Sequence, residues 1–138
     1  MLDAYLADTS AWNRSGAESV RERWSELVIR GRVAMCSPVR LELLYSARAP
    51  DDFAALDRAL GSLPQLELDR SAVERAHDVQ ARLASASQHR SAPAIDLYVA
   101  AIAEVSEVIL LHYDRHFDLI AKVTGQPAEW IAPRGTVD

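Results

Sequence analysis

The chain has 138 residues, 49% of them hydrophobic and 25% charged, the length and balance of a single globular domain over residues 1–138. This composition excludes collagen-like, mucin-like and wholly disordered chains, and a lone cysteine, Cys36, excludes a disulfide framework or a cysteine-based zinc cage. Twenty acidic against fifteen basic residues leave a formal charge of −5, with Lys122 the only lysine, so nucleic acid would have to be gripped by a local arginine cluster and not by bulk charge.

The N-terminal stretch MLDAYLAD lacks the basic start and apolar core of a signal peptide, and no later stretch approaches ~18 consecutive apolar residues. A cytoplasmic protein without membrane contact is the expectation. Ala4 to Ala7 forms a short strand candidate ending at Asp8, with Thr9 and Ser10 as helix caps or turn formers. Val20, Trp24, Leu27 and Val28 recur at helical spacing between Ala17 and Arg30, and Gly31 stops that helix. Val33 to Cys36 reads as a buried strand with Cys36 in the core, and Ser37-Pro38 opens a helix that puts Leu41, Leu44 and Tyr45 on one face. Pro50 to Gly61 is a further helix, Gln65 to Leu68 a brief strand, and Asp69 or Ser71 caps a long helix reaching about Ser87.

A polar loop, SASQHRSAP, precedes a helix from Ser91 to Val105 with Pro93 in its first turn. Val108 to Leu111 is the most hydrophobic strand, Phe117 to Val123 a helix stopped by Gly125, and Glu129 to Ala132 a last strand. Alternating strands and helices predict an α/β fold with a parallel sheet covered on both sides.

The acids fall in a pattern. Asp8 ends the first strand and Asp114 follows the last strong one, so a parallel sheet would bring both to the edge where open α/β folds gather their sites. Glu42 interrupts the apolar LELLY segment, and Asp96 interrupts PAIDLYVAAIA near a helix start. Taken alone, Asp96 gains roughly 0.3–1 kcal/mol from the helix dipole. Two carboxylates about 4 Å apart repel by roughly 4 kcal/mol at an effective dielectric near 20, so four together call for a cation or for protons. An all-oxygen, cysteine-free set suits Mg2+ or Mn2+, which hydrolyse phosphodiesters. His112 and His116 straddle a strand end and a loop and would not share a helical face, while His77 and His89 read as ordinary surface histidines.

Four segments, LADTSAW at 6–12, SPVRLELLYSAR at 37–48, PAIDLYVAAIA at 93–103 and VILLHYDRHFDLIA at 108–121, resemble in content and order a PIN domain, more narrowly the VapC-type ribonuclease toxins of bacterial toxin–antitoxin pairs. The resemblance implies a three-layer α/β/α sandwich with a central, mainly parallel sheet. It also implies Mg2+- or Mn2+-dependent endoribonuclease cleavage of structured RNA such as tRNA or rRNA, a cognate VapB-type antitoxin as inhibitor, and a homodimer. Asp8, Glu42, Asp96 and Asp114 then become the catalytic, metal-binding acids: Asp8 and Asp96 as direct ligands, Glu42 and Asp114 through water, a second metal or the attacking water. Thr9 matches a hydroxyl beside the site, and helix capping is equally compatible.

Many relatives carry an aspartate where this chain has His116, with Asp118 two residues on. His116 could bind a softer ion, contact RNA phosphate or be a bystander, and the last reading is favoured. Arg14, Arg40, Arg90 and Arg115 are phosphate-contact candidates, although a solvated surface arginine is the favoured reading for any single one. Trp12 and Trp24 are core aromatics or base-stacking platforms, and Leu41, Leu44, Tyr45 and the Val20–Leu27 face are core or an antitoxin groove. The alternative function is a catalytically inactive PIN-like binding module, motivated by His116 and the negative charge. A phospho-accepting receiver domain fits poorly, since Lys122 lies inside a helix instead of beside the acids.

Overall fold

The structure, a computed structural model, describes residues 3–138, so the first two positions of MLDAYLAD lie outside the described residues. Strands β1 (Tyr5–Ala7), β2 (Val33–Cys36), β3 (Gln65–Leu66), β4 (Ile109–His112) and β5 (Ala128–Trp130) form one sheet in the order β3-β2-β1-β4-β5. Every neighbouring pair is parallel. The connections carry helices α1 (Thr9–Trp12), α2 (Glu18–Ile29), α3 (Ser37–Tyr45), α4 (Pro50–Gly61), α5 (Arg70–Ser85), α6 (Ala94–Val105) and α7 (Arg115–Thr124). No helix among the described residues is long and apolar enough to cross a membrane.

Successive strand side chains point to opposite faces, and both faces are covered. Tyr5, Ala7, Val33 and Leu111 pack with Val20 and Trp24 of α2 on one side. Leu6, Ala34 and Leu110 pack on the other with Val39 of α3, Leu83 of α5, Ile102 of α6 and Phe117 of α7. Each large side chain taken fully out of water contributes roughly 1.5–3 kcal/mol. The result is the expected α/β/α sandwich. Cys36 is buried within it, and Trp12 meets Trp24 edge-on, 4.7 Å between ring centroids, which makes both tryptophans packing residues.

Strand order explains where the acids go. From β1 the chain runs outward to β2 and β3, then crosses back to β4 and β5 on the opposite side. That reversal opens a crevice beyond the carboxyl ends of β1 and β4. The Asp8 N–H donates to the Leu111 carbonyl at 2.9 Å, locking the two strand ends together.

Several element ends depart from the sequence expectation for local reasons. α6 begins at Ala94 and not Ser91, because Pro93 holds the N-cap in extended backbone at ψ 156° and the residue ahead of a proline avoids helix. α7 begins at Arg115 and not Phe117, because the Asp114 carboxylate caps it by accepting the His116 N–H. β3 stops at Leu66 and not Leu68, since its partner β2 turns into α3 directly after Cys36. β5 covers Ala128–Trp130 and not Glu129–Ala132, and β4 covers Ile109–His112 and not Val108–Leu111, the two ending together at the His112–Trp130 pair. Asp69, not Ser71, caps α5. The glycine stops hold: Gly31 at φ 68° and Gly125 at φ 73° adopt the left-handed conformation that ends α2 and α7.

Candidate active site

Asp8 leaves β1 and caps α1, replacing Thr9 and Ser10 in the capping role expected of them. One carboxylate oxygen, Oδ2, accepts from the Ser10 N–H at 2.9 Å and from the Ser10 hydroxyl at 2.7 Å. That same hydroxyl oxygen accepts the Tyr113 N–H at 2.9 Å, so Ser10 ties the end of β1 to the turn after β4. The other oxygen, Asp8 Oδ1, is buried and has no hydrogen-bond partner, in a residue only 4% exposed. Burial raises the Asp8 pKa; the Ser10 hydrogen bonds oppose this and the Glu42 charge adds to it. A buried carboxylate oxygen with no donor is costly in a folded protein.

Asp96 sits in the first turn of α6. Its pKa is pushed up to about 6, chiefly by burial and next by the charge of Asp8, against the pull of a hydrogen bond to His116. His116 Nδ1 lies 3.0 Å from Asp96 Oδ2 and 3.3 Å from Asp114 Oδ1. Ligand atoms of Asp96, Asp114 and His116 all fall within 4.8 Å of one another. Asp114 is fixed at the start of α7 by the His116 N–H at 3.0 Å. Glu42 stands at the outer side on α3, where it accepts the Thr9 hydroxyl at 2.7 Å. Thr9 therefore holds a carboxylate and does not cap the helix.

The sheet edge thus gathers Asp96 and Asp114 with His116, next to an Asp8 whose charge is felt at Asp96. Glu42 joins electrostatically through Asp8. The donor set and the orphaned Asp8 Oδ1 fit a hard divalent cation: carboxylates that burial and mutual repulsion make uncomfortable as bare anions. His116, favoured as a bystander from the sequence, stands inside the group.

Other candidates lie apart from it. Asp118 accepts the Trp130 indole N–H at 3.0 Å, on the β5 side. Arg14 stacks over the Tyr113 ring at 4.8 Å and donates to the Ser10 carbonyl, bracing the turn. Arg40 is committed to Asp57 at 2.6 Å, between α3 and α4. Arg115 and Arg90, with Ser91 and Leu119, line a hollow that His116 borders. His112 is fully buried, and its Nδ1 accepts the Asp114 N–H at 3.3 Å. Sequence reasoning missed the part played by Ser10, for which the D-x-S spacing after β1 was the available signal.

Comparison with known proteins identifies the family. The profile of the PIN domain matches residues 5–123. Ribonuclease VapC18 of Mycobacterium tuberculosis is 41% identical over 135 residues, covering 96% of this chain and 98% of the relative. Ribonuclease VapC51 of the same organism is 42% identical over 135 residues, covering 97% of each. Among solved structures, DNA-bound VapBC from Salmonella typhimurium matches with a TM-score of 0.77 at 20% identity, over 95% of this chain and all of that one. VapBC2 from Rickettsia felis, bound to a promoter DNA fragment, matches at 0.73 and 16% identity over 92% of this chain and 98% of that one. The structural matches establish the fold, and the near full-length sequence matches establish kinship. This chain belongs to the PIN domain family and, within it, to the VapC ribonucleases.

Proposed function

We propose that this chain is the toxin of a type II toxin–antitoxin pair: a Mg2+- or Mn2+-dependent endoribonuclease that cuts structured RNA such as a tRNA or an rRNA loop in the cytoplasm. The single observation that carries the cation dependence is the buried, partnerless Asp8 Oδ1 beside the paired carboxyls of Asp96 and Asp114. Asp8, Asp96 and Asp114 would hold the cation, with Glu42 reaching it directly or through water. When bound, that ion supplies Lewis acidity at the phosphoryl oxygens and lowers the pKa of water.

The rest is supplied by the chain itself. Ser10 occupies Asp8 Oδ2 and leaves Oδ1 without a donor, and Thr9 holds Glu42 by its carboxylate. Glu42, exposed and acceptor-only, is suited to orienting an attacking water and taking its proton. Arg90 and Arg115 border the hollow on the His116 side and are placed to grip flanking phosphates, where arginine binds bidentately. Local cations of this kind offset the chain's net negative charge.

A VapB-type antitoxin is the proposed inhibitor, in keeping with the VapBC complexes among the structural neighbours. Its landing place is the α3 surface, where Leu41 and Tyr45 are 66% and 93% exposed and, with Pro38 and Ile95, flank Glu42. An apolar segment laid there would cover the acids. The toxin itself is proposed to be a homodimer. The test is cleavage of total RNA by antitoxin-free protein with Mg2+, with Mn2+ and with chelator, alongside Asp8→Asn and Asp96→Asn. Cleavage that needs a cation and disappears in both variants supports the reading; equal cleavage by all three proteins rejects it.

A further inference from the structure

Coordination geometry sets a scale for the cluster. Bonds of about 2.1 Å in an octahedral shell place adjacent ligand atoms about 3.0 Å apart. His116 Nδ1 lies 3.0 Å from Asp96 Oδ2 and 3.3 Å from Asp114 Oδ1, the spacing of neighbouring corners of one shell. The imidazole is two-thirds shielded, at 33% side-chain exposure, and the main-chain N–H of the same residue fixes the Asp114 carboxylate. Asp8 Oδ1, buried without a donor, points independently to a ligand at this edge.

We infer that His116 Nδ1 is itself a metal ligand, giving the site a mixed nitrogen and oxygen donor set that selects Mn2+ over Mg2+. This rests on the proposed nuclease site and goes beyond it, because carboxylates alone serve both ions whereas imidazole favours first-row transition ions. Coordination through Nδ1 would leave the imidazole proton on Nε2, as in metal-bound imidazoles generally. A bystander would sit at hydrogen-bond distance from one carboxylate; this nitrogen is held against two that belong to different elements, α6 and the β4–α7 turn.

The test uses the antitoxin-free full-length chain and reads binding, not cleavage. Electron spin-echo spectra of bound Mn2+ are expected to show nitrogen modulation, which His116→Ala removes. Calorimetric titration is expected to show His116→Ala losing about tenfold or more in Mn2+ affinity while Mg2+ affinity changes far less, and His116→Asp narrowing the gap between the ions. Mn2+ bound without nitrogen modulation, and lost in Asp96→Asn, overturns the inference and leaves the acidic site standing. Mn2+ affinity unchanged in Asp96→Asn overturns the site itself, and this inference with it. The spectrum of the unaltered protein decides the matter even if a variant folds poorly.

Discussion

Replacing Asp96 with asparagine should stabilise the metal-free protein while abolishing its response to cations. The Asp96 carboxyl is held at about 6 by burial and by the charge of Asp8, against about 3.9 in an unfolded chain. At neutral pH the folded state therefore carries a carboxylate that the unfolded state ionises more easily. At 1.36 kcal/mol per pH unit the cost is at most about 3 kcal/mol. Side-chain exposure of 15% lets solvent reach the group, and screening reduces the cost to about 1–2 kcal/mol. Asparagine keeps an acceptor for His116 and drops the charge, so the variant should melt about 3–8 °C higher in chelator at pH 7.5.

The pH dependence has a definite sign. Below about 4 the carboxyl is protonated in both states; between about 4 and 6 the folded state binds more protons, so the stability of the unaltered protein falls as pH rises, then levels off. The variant should lose this slope. Saturating Mn2+ at about 100 times its dissociation constant should restore roughly 2.7 kcal/mol to the unaltered protein and little to the variant. Thermal and denaturant melts at pH 5.0 and 7.5, with and without cation, read all of these. A variant less stable than its parent in chelator at pH 7.5, or one that keeps the full Mn2+ shift, would refute the reasoning.

Ser10→Ala removes the hydroxyl that joins Asp8 to the Tyr113 N–H, leaving both without that partner; a loss of about 1–3 kcal/mol is expected in chemical denaturation. The paired change Arg90→Ala and Arg115→Ala should weaken RNA binding and flatten its salt dependence by roughly 0.7 for each phosphate no longer gripped, measured by fluorescence titration at several salt concentrations. At subsaturating Mn2+, cleavage rate should fall as the medium is acidified toward about 6, because protons and the cation compete for Asp96, and Asp118→Asn, whose carboxylate faces Trp130, should leave that profile in place. Phe117→Ala, emptying a fully buried position between α7 and the sheet, should cost about 3–5 kcal/mol of stability.

Much of this architecture was legible because its signals are local. Strand-length apolar runs, the Gly31 and Gly125 stops and the Ser37-Pro38 start each depend on neighbours along the chain, and the alternation of elements dictates a parallel sheet. Asp8 and Asp114 could be placed at one edge without knowledge of packing, because parallel strands must end there. What escaped depends on contacts between distant segments. The angle at which α7 docks on α6 decides whether His116 faces Asp96 or solvent, and nothing in the DRHFD stretch encodes it. Arg40, a phosphate-contact candidate or a plain surface arginine on sequence alone, gains Asp57 only through the packing of α3 on α4. Thr9 was balanced between capping and site roles, and the balance fell when Asp8 proved to be the cap.

The most direct test of the central claim is anomalous diffraction from crystals of the antitoxin-free protein grown with Mn2+. An anomalous peak is expected beyond the carboxyl ends of β1 and β4, within bonding distance of Asp8 Oδ1, Asp96 and Asp114. A fully ordered crevice with no such peak, or Mn2+ bound only elsewhere on the surface, would contradict it.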